Sequence, residues 1–367
     1  MRKATIALAG AAVLSLTLAA CGSDDGDDSG SDGSTEAGGT VGVILPDSAS
    51  SDRWETKDRP LLEAAFEEAG VESDIQNANG DVSAFQTIAD GMITKGVDAM
   101  LIVNLDSESG SAVISKANDA GIPVIDYDRL TLGGGASYYV SFDNVAVGTE
   151  IGNGLVKCLA DDGVTEGPVA LLNGSPTDNN ATLFNEGYKT VVEDAGFTVA
   201  AEQAVPDWDN TQAGTIFEQM YTDANGDFVG VAAANDGLGG AVVSVLERNG
   251  VAGQVPVTGQ DATTPGLQRV LLGTQCVTVY KAIEKEADAA AELAILLAQG
   301  DTEGADALAT GTVDDSESGE QVASVLLEPQ GIFQDNVQVV VDDGFVAADE
   351  LCTTDELKAA CDEYGVS

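Results

Sequence analysis

The sequence contains no histidine in 367 residues. Imidazole is the general base of Ser-His-Asp triads and of Cys-His pairs, and it is a frequent zinc ligand. These three kinds of site are therefore excluded. The Gly-Lys pair of phosphate-binding P-loops is also missing, so that class of nucleotide site is excluded as well.

Positive charge is scarce, with 15 Lys and Arg against 62 Asp and Glu and a net charge of −47. Nucleic-acid backbones are bound by clustered cations, so we expect no nucleic-acid partner. An acidic surface also serves solubility or a high-salt habitat, so it indicates no particular function. Because 44% of the residues are hydrophobic, the chain can form the core of one large domain or of two ordinary ones.

A calcium-binding loop is imitated but incomplete. Asp223, Asn225 and Asp227 have the spacing of the first ligands of an EF-hand loop. Phe228 occupies the position where such a loop requires glycine, and Ala234 replaces its final glutamate. We therefore predict no metal site, and nothing in the sequence indicates a cofactor.

The N-terminus has the pattern of an export signal. Arg2 and Lys3 precede a short apolar run that ends at Cys21, too short for a comfortable membrane span. The segment Leu18-Ala19-Ala20-Cys21 resembles a bacterial lipobox, which implies cleavage before Cys21 and a lipid on its thiol. We predict a lipoprotein signal peptide over 1–20; the alternative is an ordinary secretion signal with an incidental cysteine.

Residues 21–40 are mostly Gly, Ser and Asp, which have little surface to bury. This composition predicts a flexible acidic tether. With a lipid on Cys21, the folded part would be extracytoplasmic and anchored to the cell membrane.

Four further cysteines are Cys158, Cys276, Cys352 and Cys361. An oxidising compartment favours disulfides. Cys352 and Cys361 are close in sequence and can staple the C-terminal tail, which leaves Cys158 to pair with Cys276. Four cysteines allow three pairings, and free buried thiols are the alternative.

Short apolar runs alternate with amphipathic stretches in the rest of the chain. The predicted strands are Val41–Leu45, Ala99–Asn104, Pro123–Tyr127, Tyr138–Phe142, Val169–Leu172, Val229–Ala233, Val255–Gly259 and Val277–Tyr280. The predicted helices are Leu61–Ala69, Phe85–Lys95, Ser111–Ala120, Phe184–Ala195, Ala213–Ala224 and Ala241–Arg248. This alternation predicts a doubly wound α/β fold with parallel sheets.

Polar clusters follow several predicted strands, at the edge where doubly wound sheets bind ligands. These clusters contain Asp128-Arg129, Asp143-Asn144, Asp178-Asn179-Asn180, Asn235-Asp236, Gln260-Asp261 and Lys281. Part of this pattern has another explanation, because Asn144, Asn179 and Asp236 can cap the helices that follow.

Carboxylates, amides and cations together suit a neutral ligand rich in hydroxyl groups, since a hydroxyl both donates and accepts. The two tryptophans, Trp54 and Trp208, stand beside charged residues in predicted loops. Indole rings pack on the C–H faces of sugars, so we interpret both as ligand platforms rather than core residues.

Five segments resemble the D-xylose-binding proteins, members of the type I periplasmic sugar-binding proteins that serve ABC importers. The segments are Tyr127-Asp128-Arg129-Leu130, Tyr139-Val140-Ser141-Phe142-Asp143-Asn144, Gly174-Ser175-Pro176-Thr177-Asp178-Asn179-Asn180-Ala181, Thr258-Gly259-Gln260-Asp261 and Thr278-Val279-Tyr280-Lys281. The resemblance extends from about Val41 to the region of Phe345. Thr182 is a departure, since some members carry a longer basic residue at this position.

The resemblance implies two Rossmann-like lobes joined by a hinge of three crossings, with the sugar between them. The expected N-terminal lobe is 41–143 plus 282–330, and the expected C-terminal lobe is 144–281 plus 331–367. Carried over to this sequence, the sugar-binding residues are Arg53, Trp54, Asp128, Arg129, Asp178, Asn180, Trp208, Asn235, Asp261 and Lys281. The tryptophans would stack on the sugar and the others would hydrogen-bond its hydroxyls.

The expected function is binding of D-xylose or a similar aldose by a monomeric, non-enzymatic lipoprotein that delivers it to an ABC permease. Two alternatives share the same sequence features: a broader monosaccharide range, and a sensor that presents sugar to a signalling receptor. A secreted hydrolase is disfavoured, because histidine and a nucleophile elbow are both missing.

Overall fold

A computed structural model describes residues 38–367 of the chain. The predicted signal peptide, Cys21 and most of the predicted tether lie outside the described residues. Within 38–367, no helix is both long and apolar enough to span a bilayer.

Thirteen strands are present in the described part of the chain. They are β1 (Thr40–Leu45), β2 (Glu72–Asn77), β3 (Ala99–Ile102), β4 (Val124–Tyr127), β5 (Tyr138–Phe142), β6 (Pro168–Asn173), β7 (Thr198–Ala204), β8 (Gly230–Ala233), β9 (Thr258–Gln260), β10 (Val277–Tyr280), β11 (Gly311–Asp314), β12 (Gln321–Leu327) and β13 (Gln330–Ile332).

The α-helices of residues 38–367 alternate with these strands over most of the chain. They are α1 (Arg59–Ala69), α2 (Val82–Lys95), α3 (Ser107–Asp119), α4 (Asn144–Asp161), α5 (Asn179–Asp194), α6 (Asn210–Asp223), α7 (Asp236–Arg248), α8 (Thr264–Leu271), α9 (Ile283–Ala298), α10 (Thr302–Leu308), α11 (Gln338–Asp342), α12 (Ala348–Leu351) and α13 (Asp355–Tyr364).

The first lobe is built on a seven-stranded sheet with the order β11-β12-β5-β4-β3-β1-β2. All its strand pairs are parallel except β11 with β12. Its central strands are apolar and buried because helices cover both faces. On one face α1 and α9 bury Phe66 and Ala290, and on the other α2 and α3 bury Phe85 and Ile114.

The second lobe contains two three-stranded sheets, β7-β6-β8 and β13-β10-β9. A parallel bridge between Val231 and Val257 joins them. Helices α4 to α7 bury Phe184, Phe217 and Leu246 against this layer. The C-terminal helices pack on α8 and β10 in a separate cluster that includes Leu357.

The chain crosses between the lobes three times. It leaves the first sheet after β5, returns after β10 into α9, and leaves again between β12 and β13. The two-lobe α/β architecture predicted from the sequence is therefore confirmed.

Two disulfides are formed in the second lobe. Cys158 on α4 is bonded to Cys276, with a Cα–Cα distance of 6.5 Å. In the tail Cys352 is bonded to Cys361, at 6.2 Å. This is one of the three pairings that the sequence allowed.

Several elements were not predicted from the sequence pattern. The edge strands β2 and β7 are polar and partly exposed, so they lack the apolar run of a buried strand. Helix α4 carries Gly148, Gly152 and Gly154, which obscure its periodicity. The strand predicted at Val255–Gly259 is displaced to Thr258–Gln260, because only isolated bridges form at Val255 and Val257.

The glycines of α4 allow it to approach α5 closely. A Cβ atom added at Gly148 would overlap the backbone of Phe184 on α5. We predict that Gly148→Ala lowers the free energy of unfolding by about 1–3 kcal/mol, because a packed helix contact must separate.

The matched control is Gly214→Ala on α6, where an added Cβ would meet no atom within 4 Å. This substitution should raise the free energy of unfolding by about 0.5–1 kcal/mol, since alanine favours a helix interior. Urea denaturation of both variants measures the two effects. A shift in the same direction for both would refute the packing explanation.

Candidate functional site

A single cavity between the two lobes contacts all ten residues predicted to bind sugar. Its lining comprises Arg53, Trp54, Asp128, Arg129, Asp178, Asn180, Trp208, Asn235, Asp261 and Lys281, together with Ser50, Ser51, Phe184 and Gln260. The space among these side chains, part of which is open to solvent, is about 340 Å³.

The carboxyl ends of strands in both lobes bring these side chains together, as expected for doubly wound sheets. Arg53 and Trp54 lie at the start of a π-helical turn, Trp54–Asp58, between β1 and α1. Asp128 and Arg129 follow β4, Asn235 follows β8, and Asp261 and Lys281 follow β9 and β10. Asp178 and Asn180 begin α5, and Trp208 precedes α6.

Left-handed backbone conformations are concentrated at the cavity. Of seven described non-glycine residues with positive φ, Asp128, Trp208 and Asp261 line it, and Asp207 and Ala262 adjoin them. Such conformations cost energy and persist only where the surrounding structure fixes them. The surrounding structure therefore fixes the backbone at these strand ends in conformations that non-glycine residues disfavour.

The guanidinium group of Arg53 is enclosed by three carboxyl groups. It donates to Asp58 through both Nε and Nη2, to Glu286 through Nη2 at 2.7 Å, and to Asp128 through Nη1 at 2.9 Å. Burial disfavours its charge, but Asp58 and the other two groups outweigh burial and raise the pKa of Arg53 well above its usual value. One N–H of Nη1 is left for a ligand.

The carboxylate of Asp128 lies between cations from different elements. Lys281 Nζ is 3.6 Å from it, and Arg53 is 2.9 Å away. Although burial acts in the opposite direction, these positive charges lower the pKa of Asp128 to about 2. Asp128 is therefore ionised and accepts hydrogen bonds only.

Glu286 was not predicted from the sequence, although it lies at the centre of this charge network. It is fully buried on α9, and its Oε1 has no hydrogen-bond partner among the described residues. Burial is the main cause that raises the pKa of Glu286 to about 8, with the charge of Asp128 adding to it against Arg53. The only sequence signal is its place in the apolar stripe of α9, next to Ile283 and Ala287.

Asp178 connects three parts of the cavity. Its Oδ1 accepts from the backbone N–H of Asn180 and caps α5, and its Oδ2 accepts from Trp208 Nε1 at 3.0 Å. The same oxygen lies 3.0 Å from Arg129 Nε in the other lobe. Asp178 therefore orients the indole of Trp208 as well as lining the cavity.

The helix caps lie one residue before the positions suggested by the sequence. Asp143, Asp178 and Asn235 accept the capping hydrogen bonds, whereas Asn144, Asn179 and Asp236 were expected to do so. Two predicted ligands, Asp178 and Asn235, thus also fix the helices that carry them.

The two indole rings face the cavity from opposite lobes, and both are almost fully buried. Trp208 packs against Gly174, where any Cβ would overlap its ring, and edge-on against Phe184 at 6.4 Å. The guanidinium carbon of Arg53 lies 4.3 Å from the Trp54 ring centroid. Each tryptophan is both a core residue of its lobe and part of the cavity wall.

Four polar atoms of the lining are buried without an aligned hydrogen bond among the described residues, although Arg129 Nε lies 3.0 Å from Asp178 Oδ2. They are Ser51 Oγ, Arg129 Nε, Gln260 Oε1 and Asp261 Oδ1. Asp261 Oδ1 is 3.3 Å from Lys281 Nζ but not aligned for a hydrogen bond. Buried polar groups are almost always satisfied in folded proteins, so these donors and acceptors fit a polar ligand in the cavity.

The comparisons with known proteins agree with this geometry. The family model described as "periplasmic binding protein domain" matches residues 41–302. The D-xylose-binding periplasmic protein of Escherichia coli (strain K12) is 34% identical over 316 residues, which cover 85% of this chain and 92% of that protein. The chain belongs to the type I periplasmic sugar-binding proteins.

Other members of the family are similar over the same region. The multiple sugar-binding periplasmic receptor ChvE of Rhizobium radiobacter is 33% identical, over 85% of this chain and 92% of that one. The structure of an ABC transporter solute-binding protein from Clostridium phytofermentans with bound β-D-glucose superposes with a TM-score of 0.75, at 26% identity, over 85% of this chain and 99% of that one.

This periplasmic sugar-binding protein is extracytoplasmic and is not an enzyme, as its relatives are binding proteins of transport systems. Its cleft accordingly combines donors, acceptors and indole faces without a histidine base. Among the described residues, no group of three or more Cys, Asp or Glu side chains is arranged to hold a metal ion.

The raised pKa of Glu286 predicts a pH dependence of stability. The pKa of Glu286 is 4.5 in the unfolded chain and about 8 in the folded protein. Its contribution to the free energy of unfolding is therefore fully present below about pH 4.5 and is lost as the pH rises through about 8. Glu286→Gln removes this titration and keeps an oxygen for Arg53. The variant should gain stability relative to wild type between pH 5 and 8, on the order of 1.4 kcal/mol for each pH unit.

Urea denaturation at several pH values measures this difference. Glu284→Gln, at an exposed position on the same helix, is the control. Its free energy of unfolding should vary with pH as that of the wild type does. Parallel curves for Glu286→Gln as well would show that Glu286 does not take up a proton on folding.

Proposed function

We propose that the protein binds D-xylose or a similar aldose in the cavity between its lobes and delivers it to an ABC permease. The name of the Escherichia coli relative supports a pentose ligand. The sugar-bound transporter proteins that share the fold support the transport role.

The observation that carries this proposal is the combination of unpartnered polar atoms with two indole faces in one cavity. Sugar hydroxyls both donate and accept, so they can donate to the oxygens of Gln260 and Asp261 and accept from Arg129, whose Nε lies beside Asp178 without an aligned hydrogen bond. The C–H faces of the same ring can pack on Trp54 and Trp208. A charged ligand would use only the polar atoms of the cavity, and a fully apolar ligand would use only the two indole faces.

The proposed roles of the lining residues follow from their hydrogen-bonding capacity. Arg53, Arg129 and Lys281 donate, and the carboxylates Asp128, Asp178 and Asp261 accept, while Asn180 and Asn235 do both. Asn180 Nδ2 already donates across the cleft to the backbone carbonyl of Asp128 at 2.9 Å and to its Oδ1 at 3.1 Å. A bound sugar would thus meet groups whose positions the other lobe helps to fix.

We further propose that residues 41–143 plus 282–330 and residues 144–281 plus 331–367 move as two bodies about the three crossings. Sugar contacts both bodies only when they are closed, so binding shifts the equilibrium toward the closed arrangement. The closed form would dock on the permease, and the protein would act as a monomer.

A broader monosaccharide range, or a sensor role, is the second candidate. It is favoured by the receptor from Rhizobium radiobacter, whose name refers to multiple sugars and whose identity is nearly as high as that of the xylose-binding relative. Thr182, the departure noted in the sequence, is exposed on α5 and does not line the cavity, so it does not separate the candidates.

Calorimetric titration with a panel of pentoses and hexoses tests the ligand. D-xylose should bind most tightly if the first candidate holds, whereas similar affinities for several hexoses would favour the second. No binding by any aldose would overturn the proposed function.

Asp261→Asn tests the site itself. The variant keeps the side-chain shape and tolerates the left-handed backbone, but one acceptor oxygen becomes a donor. We expect Kd to rise about 10–100-fold, because a buried hydroxyl loses its partner. Asp227→Asn, in an exposed turn of the same lobe, should bind as wild type does. If the affinity of Asp261→Asn for sugar is unchanged, the proposed role of Asp261 in sugar binding is wrong.

The lipid anchor on Cys21 is also a proposal, supported by the lipobox-like sequence before it. In a bacterial host, Cys21→Ser should abolish incorporation of a labelled fatty acid into the protein and release it from the membrane fraction. Continued labelling of the variant would show that no lipid is attached at Cys21.

A further inference from the structure

A contact outside the sugar cavity joins the first lobe to the C-terminal tail. Lys57, in the π-helical turn that begins with Trp54, donates through Nζ to the backbone carbonyl of Phe345. The same ammonium group lies 4.8 Å from the centroid of the Phe345 ring, so it also makes a cation–π contact. The two residues are 288 positions apart in the sequence.

The tail presents Phe345 in a fixed position. Its ring packs edge-on against Tyr280 with a centroid distance of 5.2 Å, and the Tyr280 hydroxyl donates to Asp343 at 2.7 Å. Tyr280 ends β10, directly before Lys281 of the cavity. Phe345 therefore belongs to the second lobe through its packing.

Two other contacts between the lobes in residues 38–367 are made by residues that line the cavity. They join Asp128 to Asn180 and Arg129 to Asp178. The contact of Lys57 with Phe345 is different, because neither residue lines the cavity. It is a link between the lobes that a bound sugar would not touch.

We propose that Lys57 is a positioning residue for sugar binding, and that its contact with Phe345 is a latch that stabilises the closed lobes. This inference rests on the proposed function. Lys57 is carried by the same turn as Trp54 and follows Arg53 by four residues, so the latch also fixes the segment that supplies two cavity side chains.

The latch affects the affinity for sugar only if the contact between Lys57 and Phe345 is present in the closed arrangement and absent from the open one. Lys57 belongs to the first lobe and Phe345 to the second, so in the proposed mechanism their contact is lost when the lobes separate. Water then solvates the ammonium group in the open form. Loss of the latch lowers the closed population and should act mainly on the rate of sugar release.

The test is Lys57→Met, which keeps the apolar stem of the side chain but removes the donor and the charge. We expect Kd for the best aldose of the panel to rise about tenfold, or about 1.4 kcal/mol. The increase should appear in the dissociation rate measured by stopped-flow tryptophan fluorescence. Lys57→Arg, which retains a cationic donor, should recover most of the affinity.

Lys95→Met is the matched control, since it removes the same charge from an exposed site of the first lobe, where Lys95 pairs with Asp74. It should leave Kd unchanged. A merely structural role of Lys57 would lower the melting temperature of the sugar-free protein, whereas a latch of the closed form should leave that temperature as in wild type.

Phe345→Ala removes the ring but keeps the backbone carbonyl, so a rise in Kd of about threefold is expected. The double variant Lys57→Met/Phe345→Ala should bind sugar with nearly the same Kd as Lys57→Met alone, because the two residues form one contact. Wild-type affinity in Lys57→Met would overturn the latch. Failure of the wild-type protein to bind any aldose would instead overturn the proposed function.

Discussion

The buried guanidinium group of Arg53 is the interaction on which the cleft depends. It is almost fully removed from solvent and is bonded to Asp58, Glu286 and Asp128. Buried charges are tolerated only when they are paired and hydrogen-bonded, and removing one partner leaves the others uncompensated. Arg53 thus joins the π-helical turn, the end of β4 and helix α9 into one unit.

The same principle extends into the second lobe. Lys281, at a hinge crossing, lies 3.6 Å from Asp128 and 3.3 Å from Asp261. Arg129 and Asp178 pair across the cleft, and Asp178 holds Trp208. Charge pairing therefore fixes the positions of side chains that left-handed backbone conformations bring to the strand ends, at Asp128 and Asp261.

The fold could be predicted from the sequence, but only part of the cavity lining could. Strand ends and local motifs identified Asp128, Asp178 and Asp261, because these residues follow apolar runs. Ser50 and Ser51 could not be found in this way, since serine is common in any loop, and Phe184 has the pattern of a core residue of α5. Glu286 became visible only when α9 packed against the turn that carries Arg53.

The pattern of charges also explains why a neutral polyol suits this cleft better than a sugar acid. The cations Arg53, Arg129 and Lys281 already have carboxylate partners within 3.6 Å, and burial together with the charge of Asp128 raises the pKa of Glu286 to about 8. A charged ligand would have to displace one of these pairs in a buried setting. Hydroxyl groups need no such displacement, because they can donate to an oxygen such as that of Gln260 and accept from a paired cation.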